Sequence, residues 1–396
     1  MASCKVTARK FQEVHLPVRT VQAYTKLPPA VMYDKIAQDP VYSKMISFVS
    51  LYYHPADGQV YCGLTSFKNQ ILITFDPEKK TFKDLEFQNS SVCERFDVKI
   101  HRSLEPDDGT ILFATAGLHE LQNHPEAEGG RIFRYHPDGG KIDVIARPVR
   151  HDYIQTIALD KKRQVVYGNC YPIGNAFRYE IKTGKTTLMK DGVTAHKARC
   201  DKEGNLWGIA QTRFNPMPLV AGEDLEALQE FFHSPGRIPL LFKYNTDDGY
   251  QYLPDGLPLL SGHAQSLANG LDVGDGGMYL CTSAGRLYRV DKKTGEVQQI
   301  ADNIGGRLEG IDYDAERGLL FLGGGSYYQT TVFVVDVEKR EVISDFWPVA
   351  DLDTGERCII VHALCATKRK DTYMVYLGET DNPNRSGYLW ECEIKI

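Results

Sequence analysis

The sequence predicts an all-β fold, a seven-bladed β-propeller whose ring is closed by an N-terminal strand in the last blade. Three observations carry this. One turn pattern recurs seven times along the chain, a second turn follows most of its occurrences, and the last unit ends one strand short. Internal repeats at a roughly constant period of ~40–70 residues, each holding two hairpin turns, give four strands per unit, which is a propeller blade.

The first turn reads YYHPADGQVYCG, LEPDDGTILFAT, LDKKRQVVYGN, CDKEGNLWGIA, VGDGGMYLCTS, YDAERGLLFLGG and CATKRKDTYMVYLG. Each is an apolar run, a polar Asp/Gly/Lys turn and a second apolar run. Asp-Gly and Lys-Gly turns supply the positive-φ positions that tight antiparallel connections need. The second turn reads ITFDPEKKTF, FRYHPDGGKI, FRYEIKTGKT, FKYNTDDGYQ, YRVDKKTGEV and FVVDVEKREV, joining a third strand to a fourth. The seventh unit stops at GYLWECEIKI, and the segment Cys4–Leu16 is strand-like with no hairpin partner of its own. It supplies the missing outer strand, because an open ring would leave two sheet edges unpaired.

The whole chain, 1–396, reads as one propeller domain, interrupted in the fourth blade by an insertion of helical periodicity at about 213–238. A second irregular stretch, AGLHELQNHPEAEGG, lies in the second blade. Hydrophobic content of 42% and charged content of 25% are those of an ordinary globular protein. The net charge of −6 argues against a nucleic-acid groove. No apolar run is long enough for a membrane span. The N-terminus lacks the apolar core of a signal peptide, so a cytoplasmic protein is expected. The nine scattered cysteines contain no CxxC pair and read as reduced, mostly buried thiols.

In a propeller the innermost strands line the central channel. The loops entering them, and the loops joining second to third strands, share one face. Polar residues at those places are the candidates for function. The innermost strands offer His101, Gln155, His196, Arg199, His263, Gln265, Glu309 and His362. The second-to-third loops offer Lys68, His119, Glu120, His124, Tyr171, Gln211, Arg213, Tyr327, Tyr328 and Glu379. The convergence of histidines on one ring position is the main signal, since histidine titrates near neutrality and suits both proton transfer and metal ligation. Nucleophile-elbow, Walker, HExxH and dinucleotide motifs are absent.

The stretches KIHRSLEPDDGTILFAT, GGRIFRYHPDGG, IQTIALDKKRQVVYGNCYPIGNAFRYEIKTGKT and AHKARCDKEGNLWG, spanning about 97–210, resemble the β-propeller polysaccharide lyases that include the ulvan lyases. The resemblance implies β-elimination on a uronate-containing oligo- or polysaccharide. His101 matches the family's Lys-Ile-His histidine and Tyr171 its Tyr-Pro tyrosine, while Arg199 is the nearest arginine on the next innermost strand. The family often carries a second histidine where this chain has Ala116; His119 or His124 would reach in from the same loop. Catalytic roles thus fall on His101, Tyr171, Arg199 and His119. Substrate contacts fall on His124, His196, Gln211, His263, Glu309, Tyr328 and His362. The expected partner is an acidic oligosaccharide, and no cofactor is expected to be required. The alternatives are a metal-dependent lactonase or hydrolase, with His263, Gln265 and His362 as ligands, and a non-catalytic binding propeller.

Overall fold

A computed structural model describes residues 2–15, 36–68, 70–117, 127–171, 174–189, 196–211, 239–253, 256–258, 265–302, 304–326, 328–380, 382 and 384–396. The strands form seven antiparallel sheets, six of them meandering outward in chain order from an innermost strand. The innermost strands of blades 1 to 7 are Ile46–His54, Glu105–Asp107, Tyr153–Asp160, Arg199–Cys200, Leu267–Asp272, Arg307–Asp314 and Ile360–Arg369. Blade 6 gains a short extra strand, Trp347–Pro348, on its third strand. In blade 7 the fourth strand is Ser3–Arg9, paired residue for residue from Ser3 opposite Lys395 to Arg9 opposite Leu389. The predicted fold and its closure are therefore both found.

The turns form for the reasons the sequence suggested. At the outer turns Asp76 and Asp291 each accept two backbone N–H groups with Oδ1, from Glu78 and Lys79 and from Lys293 and Thr294, at 2.8–3.0 Å. Such Asx turns fix the reversal locally. The second strands are buried on both faces because neighbouring blades stack on them. Within a blade, the ring of a cross-strand partner needs glycine at Gly168 and Gly208, where an added Cβ would lie 2.3 Å from the Phe177 ring and 2.5 Å from the Phe242 ring. All nine cysteines are free thiols, six of them buried. Among the described residues no helix is long and apolar enough to cross a membrane.

One irregularity decides what lines the channel. The innermost strands of blades 1, 3, 5, 6 and 7 each carry a β-bulge, at Val49, Gln155, Ala268, Glu309 and His362. The matching residue of blade 2 is Arg102, with φ of 50°, and that of blade 4 is Lys197. In blades 1, 3 and 5 the residue after the bulge ties blade to blade. Ser50 Oγ donates to Ile100 O at 3.1 Å and accepts from Ser103 N at 3.0 Å. Thr156 Oγ1 donates to Arg102 O at 3.1 Å and accepts from Ala198 N at 3.0 Å. Asn269 Nδ2 donates to Glu309 O at 2.6 Å. These contacts hold the bulges of neighbouring blades at one height.

Candidate functional site

Two faces must be distinguished. The loop face carries the loops entering each innermost strand and those joining second to third strands; the hairpin face carries the tight turns. The bulge ring lies between them, and an ionic cluster crosses the channel at its height. Arg102, from blade 2, places Nη2 2.8 Å from Glu309 Oε2 of blade 6. His196 of blade 4 brings Nδ1 to 2.9 Å from Glu309 Oε1. His362 of blade 7 lies 3.7 Å from Oε2, and Arg307 lies 3.7 Å from Oε1. His101 sits beside Arg102, its Nε2 2.7 Å from Nη1, and its ring stacks on His362 at 6.2 Å between centroids. Arg102 and Glu309 are 3% and 1% exposed, so the pair forms a buried plug rather than a surface bridge.

The protonation states follow from the partners. Burial alone would raise the Glu309 carboxyl, but Arg102, His362 and His196 outweigh it and hold the group well below its ordinary value. A carboxylate only accepts, so His196 carries its proton on Nδ1. A guanidinium only donates, so His101 Nε2 is the unprotonated nitrogen, with its proton on Nδ1. Burial, reinforced by Lys99 and Arg102, keeps His101 neutral by pushing its pKa well below the ordinary value. That Nδ1 is buried without a hydrogen-bond partner among the described residues. Such an unspent donor at a channel mouth is unusual for a purely structural histidine.

On the hairpin side of the plug lies a second set of charges. Lys197 Nζ is 3.9 Å and Arg199 Nη1 is 3.5 Å from Glu105 Oε1, and Arg199 Nε donates to Asn269 Oδ1 at 3.0 Å. Burial pushes the Lys197 ammonium down to about 7, with Arg199 adding to the effect and Glu105 opposing it. Arg199 opens into a hairpin-face depression of about 390 Å³ with Lys161, Lys162 and Lys202.

The structure thus unites His101, His196, Glu309 and His362, as their shared ring position suggested. It corrects the expectation that His101, Tyr171 and Arg199 open into one pocket. Arg199 follows the bulge by two residues and lies across the plug from His101. His101 is 7% exposed rather than freely solvent-reachable. Tyr171 stands at the loop-face rim, 47% exposed, its ring 5.4 Å from that of Tyr153. Gln265 Nε2 donates to Pro258 O and Tyr288 Oη, at 2.6 and 2.9 Å. Glu379 is a fully buried structural carboxylate that accepts from Arg385 at 2.7 Å and from Trp390 Nε1 at 3.0 Å. His119, His124 and His263 lie outside the described residues, as do Glu120, Arg213, Tyr327 and the 213–238 insertion. Gln211 is described only as the end of the second strand of blade 4. Among the described residues no group of three or more His, Cys, Asp or Glu could hold a metal ion.

No protein-family model and no curated protein matches the chain. Among solved structures it is similar to the extracellular domain of a protein described as a hybrid two-component system from B. thetaiotaomicron. The TM-score is 0.56 and the identity 12%, over 88% of this chain and 38% of that one. A second structure, the extracellular domain of a protein described as a one-component system from the same organism, gives 0.55 and 14%, over 87% and 38%. The chain therefore spans well under half the length of these neighbours. At such identities the likeness shows the β-propeller fold alone.

Proposed function

We propose that the loop-face mouth of the channel binds a carboxylate-bearing saccharide and cleaves it by β-elimination. The observation that carries the reading is the cluster of Arg102, His101, His196 and His362 around the single carboxylate of Glu309. With Arg307 beside them, the cations outnumber the carboxylate, and the imidazoles add hydrogen-bonding groups, so the mouth is complementary to an anion.

Elimination needs three things. The substrate carboxylate must be neutralised so that the neighbouring C–H becomes acidic, a base must take that proton, and an acid must protonate the departing oxygen as the C–O bond breaks and a C=C bond forms. Arg102 takes the first role in place of Arg199, since it lies beside His101, 2.7 Å away. When Arg102 turns to the substrate carboxylate it releases Nε2 of His101. That nitrogen is already unprotonated at neutral pH, the state a base requires. Tyr171, at the rim, is the donor to the leaving oxygen.

The test is incubation with a panel of uronate oligosaccharides, following the ultraviolet absorbance of the unsaturated uronate product. His101→Ala should lower turnover by about 10²–10⁴-fold, the contribution of a positioned base. A second reading is favoured by one finding, that the similar structures are extracellular domains of signalling systems. On that reading the same mouth binds the sugar without cleaving it. Calorimetric binding with no absorbance change would select it; neither binding nor product would sink both.

A further inference from the structure

We propose a distinct saccharide subsite on the loop face between blades 6 and 7, in which a carboxylate-bearing sugar ring stacks on Tyr328 and is held by Arg357. It takes its ligand class from the acidic-saccharide reading above but is independent of whether elimination occurs. The site is a cavity of about 350 Å³, within the size range of small-ligand pockets. One wall is the loop between the second and third strands of blade 6, with Tyr328 and Gln329. The other is the segment leading into blade 7, with Pro348, Leu352 and Arg357.

Three features of this cavity point to a ligand. Tyr328 and Leu352 are 88% and 92% exposed, an apolar pair left open to water. A flat aromatic ring beside a polar rim suits the apolar face of a sugar while leaving its hydroxyls to hydrogen-bond. The polar groups are also unequally engaged. Asp351, the acid in the lining, keeps its charge but has both oxygens occupied by the backbone: Oδ1 accepts from Asp353 N at 3.1 Å and Thr354 N at 3.2 Å, and Oδ2 from Ala8 N at 3.1 Å. The exposed guanidinium of Arg357 has no ion-pair partner among the described residues and offers the fork that pairs with a carboxylate.

The walls are also set in advance. Val349 N donates to Thr330 O at 2.9 Å, Cys358 N to Val349 O at 3.0 Å and Asp351 N to Glu356 O at 2.9 Å. A ligand therefore meets a formed site and loses less in ordering it. From Cys358 the chain runs four residues to His362, about 13 Å at the rise of a strand. A sugar chain of a few rings could then occupy the cavity and the channel mouth together, which makes the inference one about chain length as well as charge.

The experiment is affinity electrophoresis of the full chain through gels holding polygalacturonate, alginate, hyaluronan or ulvan, with dextran as the neutral control. At least one acidic polymer should retard the wild type and dextran should not. Tyr328→Ala and Arg357→Ala should each weaken that retardation about tenfold, as aromatic and arginine anchors do, and Arg357→Lys should recover part of it. Both positions are exposed, so unchanged melting temperatures are expected and should be measured. His101→Ala should lower product formation by about 10²–10⁴-fold, and adding Tyr328→Ala to it should still weaken the retardation as it does in the wild type, which separates a failure of the elimination chemistry from a failure of this subsite. The proposal is overturned if no acidic polymer retards the wild type, if dextran does so equally, or if both cavity variants migrate as the wild type.

Discussion

Glu309 is the residue on which the central plug depends, and replacing it by glutamine gives the most informative stability measurement. The change keeps the shape and a hydrogen-bonding group but removes the charge. Arg102, only 3% exposed, then remains in the channel without its 2.8 Å counter-ion. Leaving a buried charge unpaired costs about 3–5 kcal/mol. For 396 residues the unfolding entropy is about 0.8 kcal/mol/K, so the melting temperature should fall by about 4–6 °C. Calorimetry and urea unfolding should agree on the loss.

The same logic fixes the control. Arg102→Met removes the cation, and the double variant Arg102→Met/Glu309→Gln removes both charges. The double variant should be more stable than Glu309→Gln alone, and the cycle should return a coupling of about 1–3 kcal/mol. A Glu309→Gln protein melting within a degree of the wild type would refute the reasoning, because it would mean that water reaches Arg102 and pays its solvation in the folded state.

Two further outcomes follow from the fold and from the histidine. Deleting residues 1–10 removes the strand Ser3–Arg9 and exposes the edge carrying the buried Trp390, Cys392 and Ile394, so its melting temperature should fall further than that of Glu309→Gln; a truncated chain that melts with the wild type would overturn the closure. The folded-state pKa of His101 is depressed below its unfolded value, so the unfolded chain binds the extra proton. Its contribution is therefore present above about pH 6.5 and is lost as pH falls, at up to about 1.4 kcal/mol per pH unit. The groups facing it, Lys99, Arg102, His362 and His196, are all basic, so protonation adds cation to cation. Urea midpoints from pH 7.5 to 5.5 should show a flatter slope for His101→Gln than for the wild type, and equal slopes would rule this out.

The blades were legible because their signal is local. Asp, Gly and Lys at the turns act on their own backbone, as Asp76 and Asp291 do, and need nothing from the rest of the ring. The short count of strands in the seventh unit was legible for a different reason, since a sheet edge must be covered by something and only one segment was spare. Glu379 shows the limit of position alone. The sequence places it in a second-to-third loop as a candidate for function, whereas it lies within the second strand of blade 7. Its neighbours Arg385 and Trp390 make it an internal anchor instead.

The cluster itself was half legible, and the bulge explains which half. Strict alternation along KIHRSL turns His101 toward the channel and Arg102 away from it. At Arg102 the positive φ breaks that alternation, and the guanidinium reaches Glu309 on the opposite side of the ring. The left-handed backbone at Arg102 thus reassigns a side chain from blade packing to the channel. The same counting explains Arg199, which lies on the correct strand of the correct blade but two residues past the bulge level, on the hairpin side of the plug. Because the residues after the bulges of blades 1, 3 and 5, Ser50, Thr156 and Asn269, bond the adjoining blades, the levels they join do not drift in height independently. That coupling lets residues from blades 2, 4, 6 and 7, far apart in sequence, meet on one carboxylate. It also explains why register along the innermost strands, rather than the identity of any one residue, governs which groups face a ligand.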